Sequence, residues 1–122
     1  MKKSISPANS PYQIDLSGID TANWANNKQI FEVTGKVQVF LPPAASLVGN
    51  SVEIFFVNLD DTSELSLATT GQDTAAVISP DHSSTVPAFK VASLQQGENV
   101  LMKGKGGCMG AVAVGQNLWK LY

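Results

Sequence analysis

From Gln29 onward, apolar and polar positions alternate in short runs, each closed by Gly, Pro, Asn or Asp. A two-residue period marks strands that bury one face. Ile30–Thr34 ends at Gly35, and the next run, Lys36–Leu41, places Val37, Val39 and Leu41 on one face. Pro42 and Pro43 must end that strand, because neither has the N–H that a ladder needs. Gly49-Asn50 is a turn, and Ser51–Asn58 (SVEIFFVN) is the strongest strand of the chain. Its alternation sends Ile54 and Phe56 into a core with Leu41, and Phe55 to the opposite face.

Turn signals continue to the last residues. Asp60-Asp61 turns the chain, Glu64–Thr69 puts Leu65 and Leu67 on one face, and Gly71-Gln72-Asp73 leads into Thr74–Ser79. Pro80–Ser84 reads as a polar loop. Val86–Ser93 is interrupted by Pro87, which makes it an edge strand or one that starts after the proline. Gln96-Gly97-Glu98 precedes Asn99–Lys103, a glycine-rich turn precedes Cys108–Val114, and Gly115-Gln116-Asn117 turns into Leu118–Tyr122. Eight or nine short strands with regular turns predict an all-β fold, an antiparallel sandwich or jelly-roll-like barrel. No strong amphipathic helix follows residue 28, which disfavours an α/β fold.

Residues 1–28 differ from the β domain expected over 29–122. Tyr12, Ile14 and Leu16 alternate, as a short strand or extended arm does. Asp20–Lys28 suits one or two helical turns, capped by Asp20 and anchored by Trp24. Fully extended, such a segment reaches about 90 Å, far enough to lie on another subunit. Tyr12, Ile14, Leu16 and Trp24 are therefore the candidate partner-binding residues of an N-terminal arm. The plainer alternative is that the arm adds a strand to its own domain.

Composition narrows the function classes. A chain of 122 residues with 43% hydrophobic content suits one folded domain. Charged residues make up 15%, well under the ~25% usual for soluble domains, so part of the surface is expected to be covered by partners. All eight basic residues are Lys, against ten acids, for a net charge of −2. Without Arg, the chain lacks the side chain best suited to bidentate phosphate and guanine contacts, so no nucleic-acid partner is expected. No run has the length of a membrane span. Lys2 and Lys3 resemble a signal-peptide start, but no apolar stretch follows them.

Candidate chemistry is sparse. Asn58, Asp60, Asp61 and Glu64 offer oxygens to a hard cation, yet the Gly and distal Glu of a helix–loop–helix calcium site are missing. A solvated turn is the simpler reading. Lys103-Gly104-Lys105-Gly106-Gly107 has phosphate-loop composition, but no Ser or Thr follows and a strand comes next, so it reads as a hairpin loop. His82, the one histidine, lies beside Asp81 without a nucleophile motif and reads as a surface residue. Cys108, the one cysteine, reads as a small buried strand residue. No catalytic residue, metal or cofactor is expected, and the chain reads as a non-enzyme.

The succession Leu41-Pro42, Ala44-Ala45-Ser46, Gly49, Val52-Ile54-Phe56-Asn58, Gly71 with Asp73, Gly97-Glu98-Asn99-Val100 and Asn117-Leu118-Trp119 resembles a small β-sandwich module. That module is common in tailed-bacteriophage virion proteins, namely capsid decoration (cement) proteins and tail fibres. The resemblance covers Val37–Tyr122. Its fold-defining positions have physical roles: Leu41-Pro42 plugs and ends a strand, Gly49 and Gly97 permit positive φ, and Trp119 caps the core with its indole N–H near water. Two departures stand out. Fibre members are modules of longer chains, whereas this chain reads as complete, and Lys103–Gly110 with Ala111–Val114 precede the final hairpin.

The resemblance implies a cement protein on the outer capsid surface, made in the host cytoplasm and bound where major capsid proteins meet. It implies a homotrimer, with the major capsid protein as the other partner. A tail-fibre or spike module that recognises host glycans is the alternative, and a stand-alone lectin a third.

Overall fold

The computed structural model describes residues 2–14, 28–49, 52–77, 83–84, 92–95 and 97–122. They form an all-β structure of two mixed sheets, with no α-helix among the described residues. The strands are β1 (Lys2–Ile5), β2 (Tyr12–Gln13), β3 (Lys28–Val33), β4 (Lys36–Phe40), β5 (Glu53–Asn58) and β6 (Glu64–Ala68) in the first half. The second half adds β7 (Thr74–Val77), β8 (Ser83–Ser84), β9 (Ala92–Leu94), β10 (Val100–Lys103), β11 (Cys108–Gly115) and β12 (Leu118–Leu121). One sheet has the order β1-β3-β5-β11-β12-β7-β9 and the other β2-β4-β6-β10-β8.

Successive strands alternate between the sheets until β11, and among the described strands only β11 and β12 form a hairpin. The first six strands are thus three corners, β1–β2, β3–β4 and β5–β6, stacked on one another. Parallel strands need a long crossover, usually a helix. Here a strand of the opposite sheet is the crossover. This corrects the antiparallel expectation: β1, β3 and β5 run parallel, as do β2, β4 and β6, and β12 pairs in parallel with β7. Strands number twelve among the described residues, not eight or nine.

Backbone bonds join the corners where they stack. Thr34 N donates to Ile5 O at 3.0 Å, Leu59 N to Val33 O at 3.0 Å, and Glu64 N to Gly35 O at 2.8 Å. The glycine-rich segment after β10 continues the stack, with Gly104 N donating to Ser63 O at 2.9 Å and Gly106 N to Asn58 O at 3.0 Å. It therefore links the two sheets and is not the hairpin loop expected from its composition. Gly104 and Gly106 supply the positive φ of that link.

Inward residues of both sheets share one core that includes Phe31, Val39, Leu41, Ile54, Phe56, Leu67, Met109 and Trp119. Phe31 stacks on Phe56 with ring centroids 5.6 Å apart, and Tyr12 meets Phe31 edge-on at 5.9 Å. Leu41, Ile54 and Phe56 are fully buried while Phe55 faces outward and is half-buried, the register read from the alternation. Gly49 and Gly97 both take positive φ.

Four expectations change. Residues 2–14 lie in the chain's own sheets: β1 pairs with β3, β2 pairs with β4, and Ile14 N donates to Phe40 O at 3.1 Å. Cys108 is exposed, because Met109, Ala111 and Ala113 are the residues of β11 that point inward. The Trp119 indole is buried, and its N–H has no hydrogen-bond partner among the described residues instead of lying near water. Ser83–Ser84, read as loop, forms β8 against β10. The helical turns expected over 20–28 and the residues Leu16, Trp24 and His82 lie outside the described residues, except that Lys28 starts β3.

Candidate functional site

Ala44 and Asn117 meet at one buried carboxylate, that of Asp73. Asp73 is 3% exposed; its Oδ2 accepts the Ala44 N–H at 2.7 Å and its Oδ1 accepts the Asn117 side-chain amide at 3.1 Å. Thr74 N donates to Asn117 O at 2.9 Å, and Thr69 Oγ1 donates to Asp73 O at 2.8 Å. Pro42 and Pro43 force the chain out of β4 and into the short 3-10 turn Ala44–Ser46, which brings the Ala44 N–H to Asp73. Leu41 O accepts bonds from Thr70 Oγ1 and, at 3.2 Å, from the Gln13 side chain. A buried carboxylate is stable only when its lone pairs are occupied. This cluster holds three connections together, and both carboxylate oxygens are committed to that task.

The two outward sheet faces are unlike. On the five-stranded sheet, Lys36 and Lys103 flank Glu64 at 3.7 and 3.8 Å. Beside that row, the Gln38 amide donates to Ser66 O and Asn99 Oδ1, each at 3.0 Å, and Ser66 Oγ donates to Gln38 Oε1 at 3.2 Å. Ser10, Lys36, Gln38, Glu64, Ser66 and Leu101 line an open groove of about 380 Å³ there. Its polar groups already bond to one another.

The seven-stranded sheet presents an apolar centre. Strand register puts Lys2, Ile30, Phe55, Gly110 and Tyr122 in one row across β1, β3, β5, β11 and the residue after β12. Gly110 N donates to Tyr122 O at 2.8 Å and Tyr122 N to Gly110 O at 3.1 Å. The Tyr122 ring lies over Gly110 so closely that a Cβ there would come within 2.5 Å of it. One neighbouring row holds Glu32, Val57 and Cys108, and the other Lys28, Glu53, Val112 and Lys120. Lys28 Nζ sits 5.1 Å over the Phe55 ring and 4.0 Å from Glu53, while Lys2 pairs with Glu32 at 3.2 Å. Burial, and the Glu53 carboxylate that accepts its hydroxyl, push the Tyr122 phenol above its ordinary pKa.

The candidate partner residues fall apart. Ile14 is spent on the chain's own core, and Tyr12 is half-buried, with its hydroxyl accepting from Lys3 Nζ at 3.0 Å. Both serve the chain's own sheets, because the edges of β3 and β4 recruit residues 2–14, and Leu16 and Trp24 lie outside the described residues. The acidic run is also dispersed: Asn58 is buried, Glu64 pairs with lysines, and Asp60 closes its own turn with Thr62 and Ser63. Among the described residues no three His, Cys, Asp or Glu gather as metal ligands would. The meeting of Tyr122 with Gly110 is not among the sequence expectations. A glycine inside a strand run, which marks close approach of another group, is the available signal. No family model, curated protein or solved structure matches this chain.

Proposed function

We propose that this chain is a non-enzymatic structural protein of a tailed-phage virion, a decoration (cement) protein that binds the outer capsid surface and strengthens contacts between major capsid proteins. The observation that carries this reading is the apolar outward face of the seven-stranded sheet, where Ile30, Phe55, Val57, Val112 and Tyr122 lie side by side. Apolar patches rimmed by charge favour burial against another protein. The finer fold belongs to the same reading: the two sheets are the halves of a sandwich, built mainly from stacked corners. In this account docking rests on the sheet face, since residues 2–14 serve the chain's own sheets.

Two further features support it. Residues of the virion-module pattern converge on Asp73, so the resemblance is physically coherent in this fold. The polar groups of the opposite groove satisfy one another and offer little to a glycan. The test is copy number. Quantitative mass spectrometry of particles from the phage encoding the chain should find it in hundreds of copies per particle. Tens of copies would favour the tail-fibre reading, and absence from the particle would refute both.

A further inference from the structure

We propose that the outward face of the seven-stranded sheet binds a second copy of this chain, about a two-fold axis lying along the row Ile30, Phe55, Gly110 and Tyr122. The capsid reading docks this same face on the shell, so the dimer is the state of the unattached chain and gives way on docking; its test needs no particles.

Charge placement selects the axis. Rotation about that row exchanges the two neighbouring rows between copies. Lys28 of each copy then lies over Glu32 of the other, and Cys108 lies over Val112. A two-fold parallel to the strands, between β5 and β11, would instead bring Lys28 over Lys120. Opposite charges meet in the first arrangement and like charges in the second, and like charges across an interface are penalised. On the row itself each side chain meets its own equivalent, so Phe55 packs on Phe55 and Tyr122 on Tyr122, where aromatic pairs gain beyond their area. Lys2, at the outer end of the row, meets Lys2 of the other copy. Each Lys2 offsets that like-charge contact through its own Glu32 at 3.2 Å, and the two Lys28–Glu32 contacts outnumber it. The strands of the two copies run antiparallel, within the aligned class of sheet packing.

Of the two described sheet faces, this one has the apolar centre. The outward face of the five-stranded sheet is crossed by the Lys36–Glu64–Lys103 row and the Gln38–Ser66 bonds, so covering it would strip water from groups already paired. The apolar face spans four strands, roughly 20 Å by 17 Å, less than half the area per partner of a standard interface. Association is therefore weak in dilute solution.

Sedimentation of the full chain, from about 10 μM to about 1 mM, should show a monomer–dimer equilibrium. K28E alone sets a glutamate against Glu32 across the axis, and E32K alone sets a second lysine against Lys28; each should weaken self-association by about tenfold or more. An equimolar mixture of the two variants pairs each copy with its charge complement. With the axis as proposed, the K28E copy offers two acids and the E32K copy two lysines, and both contacts between positions 28 and 32 in the mixed dimer join opposite charges. The mixture should therefore dimerise where neither variant does. Circular dichroism of each variant checks that it is folded, and a bulky maleimide on Cys108 should block association of the unsubstituted chain. A mixture that stays monomeric, single variants that dimerise normally, a chain monomeric throughout, or a trimer would each overturn the two-fold contact. None of these outcomes touches the copy number on particles, so the capsid reading stands or falls separately.

Discussion

A Cβ on Gly35 would sit 2.6 Å from Cγ and 2.8 Å from Cδ of Pro7, so the second corner can stack on the first only because residue 35 has no side chain. Gly35 also takes φ +68°, a backbone conformation that side chains disfavour. Gly35→Ala therefore meets two separate penalties, about 1–2 kcal/mol for the backbone and about 1–3 kcal/mol for the clash. Pro7→Ala in the same chain should remove the second and leave the first. Urea denaturation of both single variants and the double variant checks this. Strictly additive effects would show that the two residues do not press on each other.

Asp73 should be far more sensitive than its place in a turn suggests. Asp73→Ala leaves the buried Ala44 N–H without an acceptor and frees the Asn117 amide, a loss of about 2–4 kcal/mol. Asp73→Asn keeps one carbonyl acceptor and should lose roughly half of that. Thermal melts of both variants test the order; equal melting temperatures for Asp73→Ala and the unsubstituted chain would sink it.

Where the sequence is legible, the reason is local. In Glu53–Asn58 the charged Glu53 fixes the phase of alternation, which assigns Phe56 to the core and Phe55 to the opposite face, while polar Asn58 shares the Phe56 face and is buried. Cys108–Gly115 has no polar residue to set its phase, so alternation alone puts Cys108 on the wrong side. The stacked corners are hidden for another reason. Thr34-Gly35 between two apolar runs suits a hairpin and a sheet crossing equally, because both bury the same alternate residues. What separates them is the remote strand each run pairs with, such as β5 beside β3. The N-terminal residues show the same limit: Tyr12 and Ile14 announce a strand, but alternation does not say whose sheet it joins. The members of the Asp73 cluster are visible in the sequence but their meeting is not, since they lie 29 and 44 positions apart.

The two phenylalanines of β5 should separate core from surface. Phe56 is fully buried and stacks on Phe31, so Phe56→Ala should cost about 3–5 kcal/mol. Phe55 lies outward under the Lys28 ammonium, and Phe55→Ala should cost about 1 kcal/mol or less in the monomer. Comparable losses at both positions would contradict the register of β5 against β3 and β11.

Acid should unfold this protein partly through Asp60. Its Oδ1 accepts from Thr62 N at 3.1 Å, Thr62 Oγ1 at 2.8 Å and Ser63 Oγ at 2.8 Å. Those donors favour the ionised form and hold the carboxyl below its ordinary value of 3.8, the Thr62 hydroxyl most strongly. Because the folded state binds this proton less readily than the unfolded chain, the contribution is complete well above that value and drains away as pH falls through it. Asp60→Asn keeps an acceptor for the turn but removes the charge, so its stability should follow pH without this component. The gap between the two proteins, measured by denaturant melts, should be widest at neutral pH and close as the solution is taken below about pH 4. A gap that stays constant down to strong acid would mean that the turn gains nothing from the ionised carboxylate.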